Sequence, residues 1–352
     1  MNKQKKKIDF LYVQPSQIIS GGQKYEKDLR ETLGKINDYD VKIKYLWHKK
    51  PNIFQRKLAP FIALKKLPSL LDSDIIVFNS TSFTRYMLLN LFLTQIFRKR
   101  TINIHHHYLF LEPKSLKGKI YKQLELLYLR SSKYILTPNP LIKEQTKNLI
   151  KKECLLCEIP FNIPESIDSD IKRKQNQLLY VGTIEPRKGL SYLINAIKLI
   201  KGEIEDYKLI IVGKVKDIDY YNKILKEIED NNLNVYFSGF ISDEELKKLY
   251  SESDIFVFPS LQEGFGMSLN EAMSYGLPVV CFNNSAMPYS VNETNGILVE
   301  NKNSEKFSDA ILKIMKDNTL RDNLSKGALQ HAKNLFTKDN FEKKVKHIFS
   351  SI

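Results

Sequence analysis

Several features that mark other classes of protein are scarce in this sequence. Its 352 residues include only three cysteines, an odd number too small for a disulfide framework, which favours a reducing compartment. No apolar run approaches the roughly 18 residues that a membrane-spanning helix needs. Residues 1–7 are basic and lead directly into an apolar run with the length of a strand, not into a signal peptide. We therefore expect a cytoplasmic protein that does not span the membrane.

Complete ligand sets for a metal ion are also missing. Cys154-Leu-Leu-Cys157 has no second cysteine pair, and two cysteines in a short strand are the simpler interpretation. His105-His106-His107 cannot all face one metal from a strand, because neighbouring side chains point to opposite sides. Asp168-Ser-Asp170 lies in a polar stretch with no strand before it, which favours a linker. We expect neither a metal nor a cofactor.

Acidic residues are absent from segment 41–71, which contains eight lysines and arginines. Residues 1–160 carry 30 basic and 13 acidic side chains, a net charge of +17, whereas the rest of the chain carries −2. A uniformly basic chain would suggest nucleic acid, so this asymmetry argues against it and favours one domain that meets an anionic surface. Two interpretations stay open: a solvated lysine-rich face, or a patch on anionic lipid headgroups with Trp47, Phe54 and Phe61 in the interface.

The most informative stretch lies between positions 254 and 281. Ile255–Phe258 is a short apolar run typical of a buried strand. Met267–Tyr275 has helical spacing and is followed by Gly276, which suits a left-handed C-cap. Val279–Phe282 begins another strand. The stretch therefore predicts a βαβ unit of a parallel sheet.

The loop Gln262-Glu-Gly-Phe-Gly266 joins the first strand of this unit to its helix. Its glycines let the backbone pass close to a ligand, and the amides and dipole at the helix N-terminus favour phosphate. Glu263 and Glu271 would be repelled by a phosphate, so we expect both to accept hydrogen bonds from hydroxyl groups, as in polyol recognition. The structural alternative is an ordinary strand–loop–helix with solvated glutamates.

Two other segments place glycines or cations before a helix. Leu178–Val181 predicts a strand, and Gly182-Thr-Ile-Glu-Pro-Arg-Lys-Gly189 then leads to a helix. The Arg187-Lys188 pair precedes this helix, where it is well placed to bind a diphosphate. Near the N-terminus, a strand over Ile8–Val13 precedes the Gly21-Gly22 pair and another helix, again a geometry that binds anions.

Together these motifs resemble the family 4 retaining glycosyltransferases, which have the GT-B fold. The resemblance rests on the assembly 254–281, the Gly-x5-Lys-Gly segment 182–189, the Gly21-Gly22 pair and the strand 295–299. It implies an α/β protein with two facing, doubly wound, parallel-sheet (Rossmann-like) domains and an interdomain cleft. We predict an N-terminal acceptor-binding domain over 1–165, a nucleotide-sugar-binding domain over 166–336 and a C-terminal helix over 337–352 that crosses back to the first domain.

The resemblance also implies an activity and its substrates. It implies transfer of a sugar, with retention of anomeric configuration and without a metal, from a nucleotide sugar such as a UDP- or GDP-sugar to a glycan or lipid-linked acceptor. If the basic first domain binds the inner face of the cell membrane peripherally, such an enzyme would meet a lipid-linked acceptor there and would make cell-surface polysaccharide or glycolipid. The implied catalytic residues are Glu263, His105, Lys188 and Arg187. The implied substrate-binding residues are Gly21, Gly22, Gly182, Thr183, Gly239, Phe240, Gly264, Phe265, Gly266, Met267, Ser268 and Glu271.

Three positions depart from the pattern of that family. Thr183 stands where many members have arginine, His106 where relatives often have aspartate, and Tyr289 where Pro-Glu is common. These departures keep a second interpretation open, a non-catalytic subunit that retains the fold and binds sugars or a partner enzyme. A third interpretation, a sugar-nucleotide epimerase of similar fold, would require a water-activating set of residues that the sequence does not reveal.

Overall fold

The chain divides into two compact units in the computed structural model. Unit 1 consists of Met1–Pro160 and Asp339–Ile352, and unit 2 consists of Phe161–Lys338. The predicted domain boundary at 165/166 falls on residues that are not described. The structure describes residues 5–14, 21–49, 51–79, 83–108, 115–161, 163–164, 173–335 and 337–352.

Unit 1 is built on a six-stranded parallel sheet in the order β2-β1-β3-β4-β5-β6. Its strands are β1 (Lys6–Tyr12), β2 (Tyr39–Tyr45), β3 (Ile75–Phe78), β4 (Arg100–Ile104), β5 (Tyr134–Thr137) and β6 (Leu155–Leu156). Its first seven helices are α1 (Gly21–Lys35), α2 (Ile53–Lys57), α3 (Ala59–Leu64), α4 (Leu67–Leu70), α5 (Phe83–Leu91), α6 (Leu116–Ser131) and α7 (Pro140–Ile150). A π-helical turn, Phe92–Ile96, extends α5. The strand order reverses at β1, so right-handed crossovers place α1 on one face of the sheet and α2–α7 on the other.

Unit 2 repeats this plan with the order β12-β11-β10-β7-β8-β9, again all parallel. Its strands are β7 (Gln177–Val181), β8 (Lys208–Val212), β9 (Val235–Gly239), β10 (Ile255–Phe258), β11 (Val279–Phe282) and β12 (Gly296–Val299). Its helices are α8 (Leu190–Lys201), α9 (Ile218–Asp230), α10 (Asp243–Glu252), α11 (Met267–Ser274), α12 (Ser304–Lys316) and α13 (Asn318–Leu335). Two sheets of this kind confirm the predicted α/β class with two doubly wound parallel sheets.

Three of the strands that were predicted from apolar runs, β3, β10 and β11, lie inside their sheets and not at the edges. Every residue of β3, β10 and β11 is buried, because helices cover both faces of a parallel sheet. The predicted βαβ unit is present as β10, α11 and β11, and Gly276 has the expected left-handed conformation with φ +70°. Burial on both faces therefore explains why these strands are visible in the sequence.

Two strands of unit 1, namely β2 and β5, were not predicted, whereas β6 lies between the two cysteines that were interpreted as part of a short strand. The more instructive is β2, which forms an edge of the sheet and falls within the segment that was interpreted as basic surface. An edge strand needs a single apolar face and often carries lysines, which discourage pairing with other chains. Lys42 is exposed and Lys44 is half-buried in β2. Because of these lysines, the sequence analysis interpreted the segment as charged surface and did not predict a strand.

The last helix, α14 (Lys338–Ser351), packs in unit 1. Its Phe341 ring lies 6.0 Å from the ring of Tyr25 in α1, edge to face, and Phe349 lies 6.4 Å from Tyr39. Lys344 forms an ion pair with Glu158. Contacts with α1 and with the end of the β2 edge strand place α14 on the same face of the sheet as α1.

The cysteines, the possible metal ligands and the hydropathy of the helices are features that the sequence analysis had considered. The three cysteines are buried and unpaired, and burial raises the pKa of the Cys157 thiol to about 12. Within the described ranges, His, Cys, Asp and Glu form no cluster of three or more with a metal-binding arrangement. Asp168 and Asp170 lie outside those ranges. Among the described helices, none combines the length and the hydropathy that crossing a membrane requires.

Candidate functional site

The candidate site of unit 2 lies where the strand order of its sheet reverses. The chain leaves β7 towards β8 and β9, then returns to β10 on the other side of β7. Loops that follow two such neighbouring strands diverge at their carboxyl ends and leave a crevice, the usual ligand site of open α/β sheets. The amide of Leu261, after β10, donates a hydrogen bond of 2.9 Å to the carbonyl of Arg187, after β7. The two predicted motifs are therefore adjacent.

The core of the site is an ion cluster around Glu263. The Lys188 ammonium donates a hydrogen bond to Glu263 Oε1, and Ser260 Oγ donates another at 2.8 Å. Arg187 Nη1 lies 3.8 Å from the same oxygen. The side chains of Lys188 and Glu263 are 12% and 11% exposed, and the ammonium lies 5.4 Å from the Phe258 ring centroid. The sequence predicted separate roles for the two cations and the glutamate, whereas the structure joins them.

Arg187 is held by a second carboxylate that the sequence analysis missed. Its Nη2 donates to Glu185 Oε1 at 2.9 Å, and its Nη1 donates to the carbonyl of Gln262 at 2.9 Å. Thr183 Oγ1 donates to the same Glu185 oxygen at 2.6 Å, and Lys216 Nζ lies 3.9 Å away. The hydroxyl bond and the nearby cations hold the pKa of Glu185 below its usual value. Thr183 thus orients a carboxylate that fixes the guanidinium of Arg187.

Glycines allow the loops around this cluster to approach closely. Gly189 has φ +68°, and a Cβ there would lie 2.0 Å from the Pro259 carbonyl oxygen. A Cβ on Gly213, where φ is +151°, would lie 1.9 Å from the carbonyl oxygen of Gly182. Only glycine combines these backbone angles with such close contacts. The position of Lys188, next to Gly189, depends on this packing.

We expect Gly189→Ala to lower the free energy of unfolding by at least about 2 kcal/mol, because it adds left-handed strain to a backbone clash. Urea titration of the purified variant measures the change. The matched control is Gly34→Ala in α1, where an added Cβ meets no atom within 4 Å. That control is expected to be neutral or stabilising by about 0.5–1 kcal/mol. Equal stability of the two variants would contradict the role of the close contact.

The loop between β10 and α11 is fixed by a residue that the sequence analysis did not select. Asn270 is fully buried, and its Nδ2 donates hydrogen bonds of 3.1 Å to the carbonyls of Phe265 and Gly266. Gly266 is the N-cap of α11 with φ +73°, and the Phe265 ring stacks on Phe161 at 6.3 Å. The first amides of α11, including those of Met267 and Ser268, have no acceptor within the helix. The predicted geometry for an anion is therefore present.

Glu271 lies one turn into α11 and has partners that differ from those of Glu263. Tyr250 Oη is 3.4 Å from Glu271 Oε2 and 3.4 Å from the Ser268 carbonyl. Tyr250 is buried and stacks on Tyr275 with ring centroids 5.4 Å apart. Burial, and then the Glu271 charge, raise the pKa of Tyr250 well above its usual value, so its hydroxyl keeps its proton. The two glutamates therefore have distinct environments, and their separate roles stay a prediction.

Gly239 and Phe240 lie at the carboxyl end of β9. Gly239 has φ +69°, and its carbonyl accepts a hydrogen bond of 2.8 Å from the amide of Gly213 at the end of β8. The Phe240 ring is largely exposed, and Lys214 Nζ lies 4.3 Å from its centroid. An exposed ring with a cation over one face is suited to stacking.

The predicted residues of unit 1 are arranged differently from the sequence-based expectation. Gly21 and Gly22 form the first turn of α1, which begins slightly earlier than predicted. A Cβ on Gly22 would lie 3.0 Å from the ring of His106. His105 is only 4% exposed and packs edge to face on Tyr108, with centroids 4.5 Å apart. Burial, and then its two neighbouring histidines, lower the pKa of His105 to about 3, so it is neutral at neutral pH. Its catalytic role stays a prediction.

The loops that form the ion cluster lie in the part of the chain with recognisable relatives. Residues 163–331 match the glycosyl transferases group 1 family. Curated relatives include the O-antigen chain mannosyltransferase B of Escherichia coli, 32% identical over 163 residues, which are 45% of this chain and 42% of that protein. An O-antigen chain mannosyltransferase of Salmonella typhimurium is 30% identical over 62% of this chain and 61% of that protein. The chain spans about half the length of the curated relatives it matches.

Solved structures match over nearly the whole chain. A sucrose-phosphate synthase from Thermosynechococcus elongatus gives a TM-score of 0.78 at 19% identity and covers 99% of both chains. The Anabaena protein HepE, solved in complex with UDP, gives 0.78 at 18% identity and covers 98% of this chain and 100% of that one. Together with two doubly wound parallel sheets, these likenesses show that the chain has the GT-B fold.

Proposed function

We propose that this protein is a retaining, metal-independent glycosyltransferase of family 4. It moves a sugar from a nucleotide sugar to a glycan or lipid-linked acceptor during synthesis of a cell-surface polysaccharide or glycolipid. Two of the curated relatives named above act on O-antigen chains, and HepE was solved with UDP, which supports this substrate class. The family match over 163–331 includes all of the ion cluster.

The observation that carries the proposal is the cluster of Lys188, Arg187 and Glu263 beside the N-terminus of α11. The mostly buried ammonium of Lys188 and the half-exposed guanidinium of Arg187 provide positive charge for a diphosphate, and the α11 amides add hydrogen-bond donors. An ammonium has three hydrogens, so Lys188 can bind a phosphate oxygen while it remains bonded to Glu263. The second oxygen of Glu263 is then available for a hydroxyl of the donor sugar. Glu271 accepts the ribose hydroxyls in this assignment.

The proposed reaction requires no covalent intermediate with a carboxylate. The bond between the anomeric carbon and the β-phosphate oxygen breaks, and the acceptor oxygen bonds to the same face of that carbon. The departing phosphate takes the acceptor proton, so configuration is retained and charge is balanced. The protein contributes by stabilising negative charge on the diphosphate through Lys188 and Arg187, a form of electrostatic catalysis.

A panel of nucleotides and nucleotide sugars tests the proposed function. A ligand at 100 times its dissociation constant stabilises the folded protein by about 2.7 kcal/mol, which a thermal-shift assay detects. We expect one nucleoside diphosphate and its sugars to raise the unfolding temperature, and NMR of the product to show the donor's anomeric configuration. Inversion would contradict the retaining assignment. Binding without transfer to any acceptor would favour a non-catalytic subunit.

We expect EDTA to leave activity within about twofold of the untreated enzyme, because protein cations supply the charge that Mg²⁺ supplies in other glycosyltransferases. Initial rates of nucleotide release, measured with EDTA and after addition of Mn²⁺, test this. Complete loss of activity with EDTA and its recovery with Mn²⁺ would contradict the proposal. Asp168 and Asp170 would then be the candidate metal ligands. A metal-dependent glycosyltransferase assayed in the same buffers is the positive control.

We also propose that unit 1 binds an anionic membrane surface, through the helix layer that contains α2, α3 and α6. Phe54 and Phe61 are 69% and 63% exposed, beside the exposed Lys57 and Lys65. Trp47 does not belong to this surface, because it packs against the core of unit 1. Exposed aromatic rings among lysines are typical of interfacial segments.

Helix α6 extends this surface. Helix α3 packs on α5 and α5 packs on α6, so α3 and α6 belong to one layer. Leu116, Ile120 and Leu127 are exposed and lie within about 40° of one another around the α6 axis, given 100° per residue. Lys117 and Lys119 are exposed on either side of this apolar stripe. An apolar stripe with basic flanks suits the plane of a membrane interface.

Ion pairs, one across strands and one within β2, reduce the charge that the basic segment presents. Lys44 Nζ lies 2.7 Å from the buried Asp9 carboxylate, and Lys42 lies 3.1 Å from Asp40. The remaining exposed lysines each contribute about 1 kcal/mol near an anionic leaflet before screening. We therefore expect the protein to cosediment with anionic vesicles, not with neutral ones, and to dissociate as salt shortens the Debye length to about 3 Å at 1 M.

Replacing Lys49, Lys57 and Lys65 with glutamine is expected to weaken vesicle binding at least about tenfold. The matched control replaces three exposed lysines of unit 2, Lys223, Lys226 and Lys247, and removes the same total charge. Equal effects of the two variants would show that net charge alone causes binding. If the wild-type protein does not bind anionic vesicles at low salt, a soluble acceptor becomes the better proposal.

A further inference from the structure

Unit 1 contains a cavity of about 710 Å³, and all of its lining residues belong to unit 1. Its walls come from the carboxyl ends of β1 and β2, from α1, α2 and α5, and from the histidines after β4. This is the edge of a parallel sheet at which ligands bind in open α/β folds. The cavity is large enough for a sugar with a substituent.

The charges that line the cavity are mostly positive. Among the described residues, four cations and one carboxylate, Glu26, contribute to the lining, and Glu26 lies 3.6 Å from His106 Nε2. The four cations are Lys27, Arg30, Arg56 and Arg85. Among the described residues, no carboxylate comes within 4.0 Å of Arg56. An anion in the cavity would therefore meet a surplus of positive charge.

Two of the arginines come from different helices and face the same space. Arg56 belongs to α2 and Arg85 to α5. Burial lowers the pKa of the Arg85 guanidinium, and repulsion from the nearby Arg56 guanidinium lowers it further. A dianion between the two guanidinium groups would replace this repulsion with attraction. Guanidinium groups also match the oxygens of phosphate with paired hydrogen bonds.

The same cavity contains aromatic side chains that suit a sugar ring. Tyr12, Tyr45 and Trp47 contribute to the lining, and the rings of Tyr12 and Tyr45 are 6.2 Å apart with an angle of 43°. Aromatic rings pack against the apolar face of a ring ligand while their polar edges bind hydroxyl groups. His106 Nε2 has no hydrogen-bond partner among the described residues and also lies at this cavity.

From these contacts we propose that the cavity binds the acceptor, and that the acceptor is a saccharide with a phosphate group. The phosphate lies against Arg56 and Arg85, and the sugar lies against Trp47 and Tyr12. This assignment rests on the proposed function, since it describes the second substrate of the same reaction. A phosphate is favoured over a carboxylate because its second negative charge offsets more of the arginine surplus. The phosphate can belong to a lipid-linked saccharide or to a soluble one.

Calorimetry without nucleotide tests the cavity independently of transfer. The probes are mannose 6-phosphate, mannose and glucuronate. We expect only the phosphorylated sugar to bind, and Arg56→Gln, on the exposed face of a capped helix, to weaken it at least about tenfold. Arg85→Lys, which keeps the charge but loses the paired hydrogen bonds, should have a smaller effect. The matched control is Arg100→Gln, an exposed arginine at the start of β4 that does not line the cavity.

The proposal would be overturned if glucuronate bound as tightly as mannose 6-phosphate, or if mannose bound more tightly. Equal losses of mannose 6-phosphate affinity in Arg56→Gln and Arg100→Gln would also overturn it. A chain that transfers sugar but binds no phosphorylated sugar also overturns it and leaves the proposed function intact. Conversely, phosphorylated sugar can bind even if no nucleotide sugar reacts. A competition experiment distinguishes a lipid-linked phosphate from a soluble one. Phosphatidylcholine vesicles that contain a polyprenyl phosphate are added to the protein with bound mannose 6-phosphate. Displacement of the mannose 6-phosphate supports a lipid-linked acceptor, and continued binding supports a soluble acceptor.

Discussion

Lys188→Ala is expected to weaken nucleoside diphosphate binding about 100-fold and to leave binding of the nucleoside nearly unchanged. The substitution removes a cation and leaves the Glu263 carboxylate, only 11% exposed, beside an incoming dianion. Truncating one partner of a buried charge pair costs about 2–5 kcal/mol, and about 2.7 kcal/mol corresponds to a factor of 100. Calorimetry with the diphosphate and with the nucleoside measures both affinities. Equal losses for the two ligands would contradict the diphosphate role.

The direct contact between Lys188 and Glu263 makes a sharper test possible. Adding Glu263→Gln to Lys188→Ala removes the unpaired carboxylate, so the double variant is expected to bind the diphosphate more tightly than Lys188→Ala alone. The control is Lys198→Ala, which removes a surface ion pair with Glu227 elsewhere in unit 2. That pair is expected to contribute at most about 1 kcal/mol to stability, with no effect on ligand affinity. No recovery in the double variant would show that the carboxylate does not oppose the diphosphate.

Glu263→Gln alone is expected to reduce turnover roughly 100- to 1,000-fold while the nucleoside diphosphate still binds. Glutamine keeps the shape of the side chain but removes the negative charge that holds Lys188 and accepts hydroxyl hydrogens of the donor sugar. Because the variant also frees a cation, we expect diphosphate affinity to remain equal or to increase. Single-turnover rates and calorimetry on the same preparation separate the two effects.

Glu271→Gln provides the comparison, because this carboxylate is assigned to the ribose. It should weaken the nucleoside and the nucleoside diphosphate by the same factor and leave the rate of the bound complex nearly unchanged. Glu305→Gln, an exposed glutamate in the first turn of α12, is the neutral control. Identical behaviour of the Glu263 and Glu271 variants would show that the proposed division of roles is wrong.

The sequence was most informative where burial and backbone geometry leave few choices. The run Ile255–Phe258 is buried on both faces, so its composition alone indicates a strand. Gly276 ends α11 in the left-handed region, and Ser242 and Glu245 form the capping box that their spacing predicts. Local rules of this kind predicted the whole β10–α11–β11 unit and most of unit 2.

The same local rules failed where partners are distant in sequence. Lys44 looked like surface charge because it belongs to segment 41–71, which contains no acidic residue, yet it pairs with Asp9 across neighbouring strands. Glu185 looked like a loop residue, yet it holds Arg187 in place. Asn270 lies in the middle of α11 and gave no motif, although it fixes the loop that contains Phe265. Such roles depend on geometry that only folding creates.

By itself the amino-acid sequence determined the βαβ unit of 254–281, the left-handed Gly276 and the candidate charges Arg187, Lys188 and Glu263, because burial, backbone angles and charge act locally. The arrangement in two doubly wound sheets was implied by the family resemblance. Only the tertiary structure decided how those residues are connected. The strand order of unit 2 places the loops after β7 and β10 side by side, and this joins Lys188 to Glu263 in one cluster. In unit 1, helices far apart in the chain bring Arg56 and Arg85 to one cavity. Sheet topology sets these distances, and no spacing along the chain encodes them.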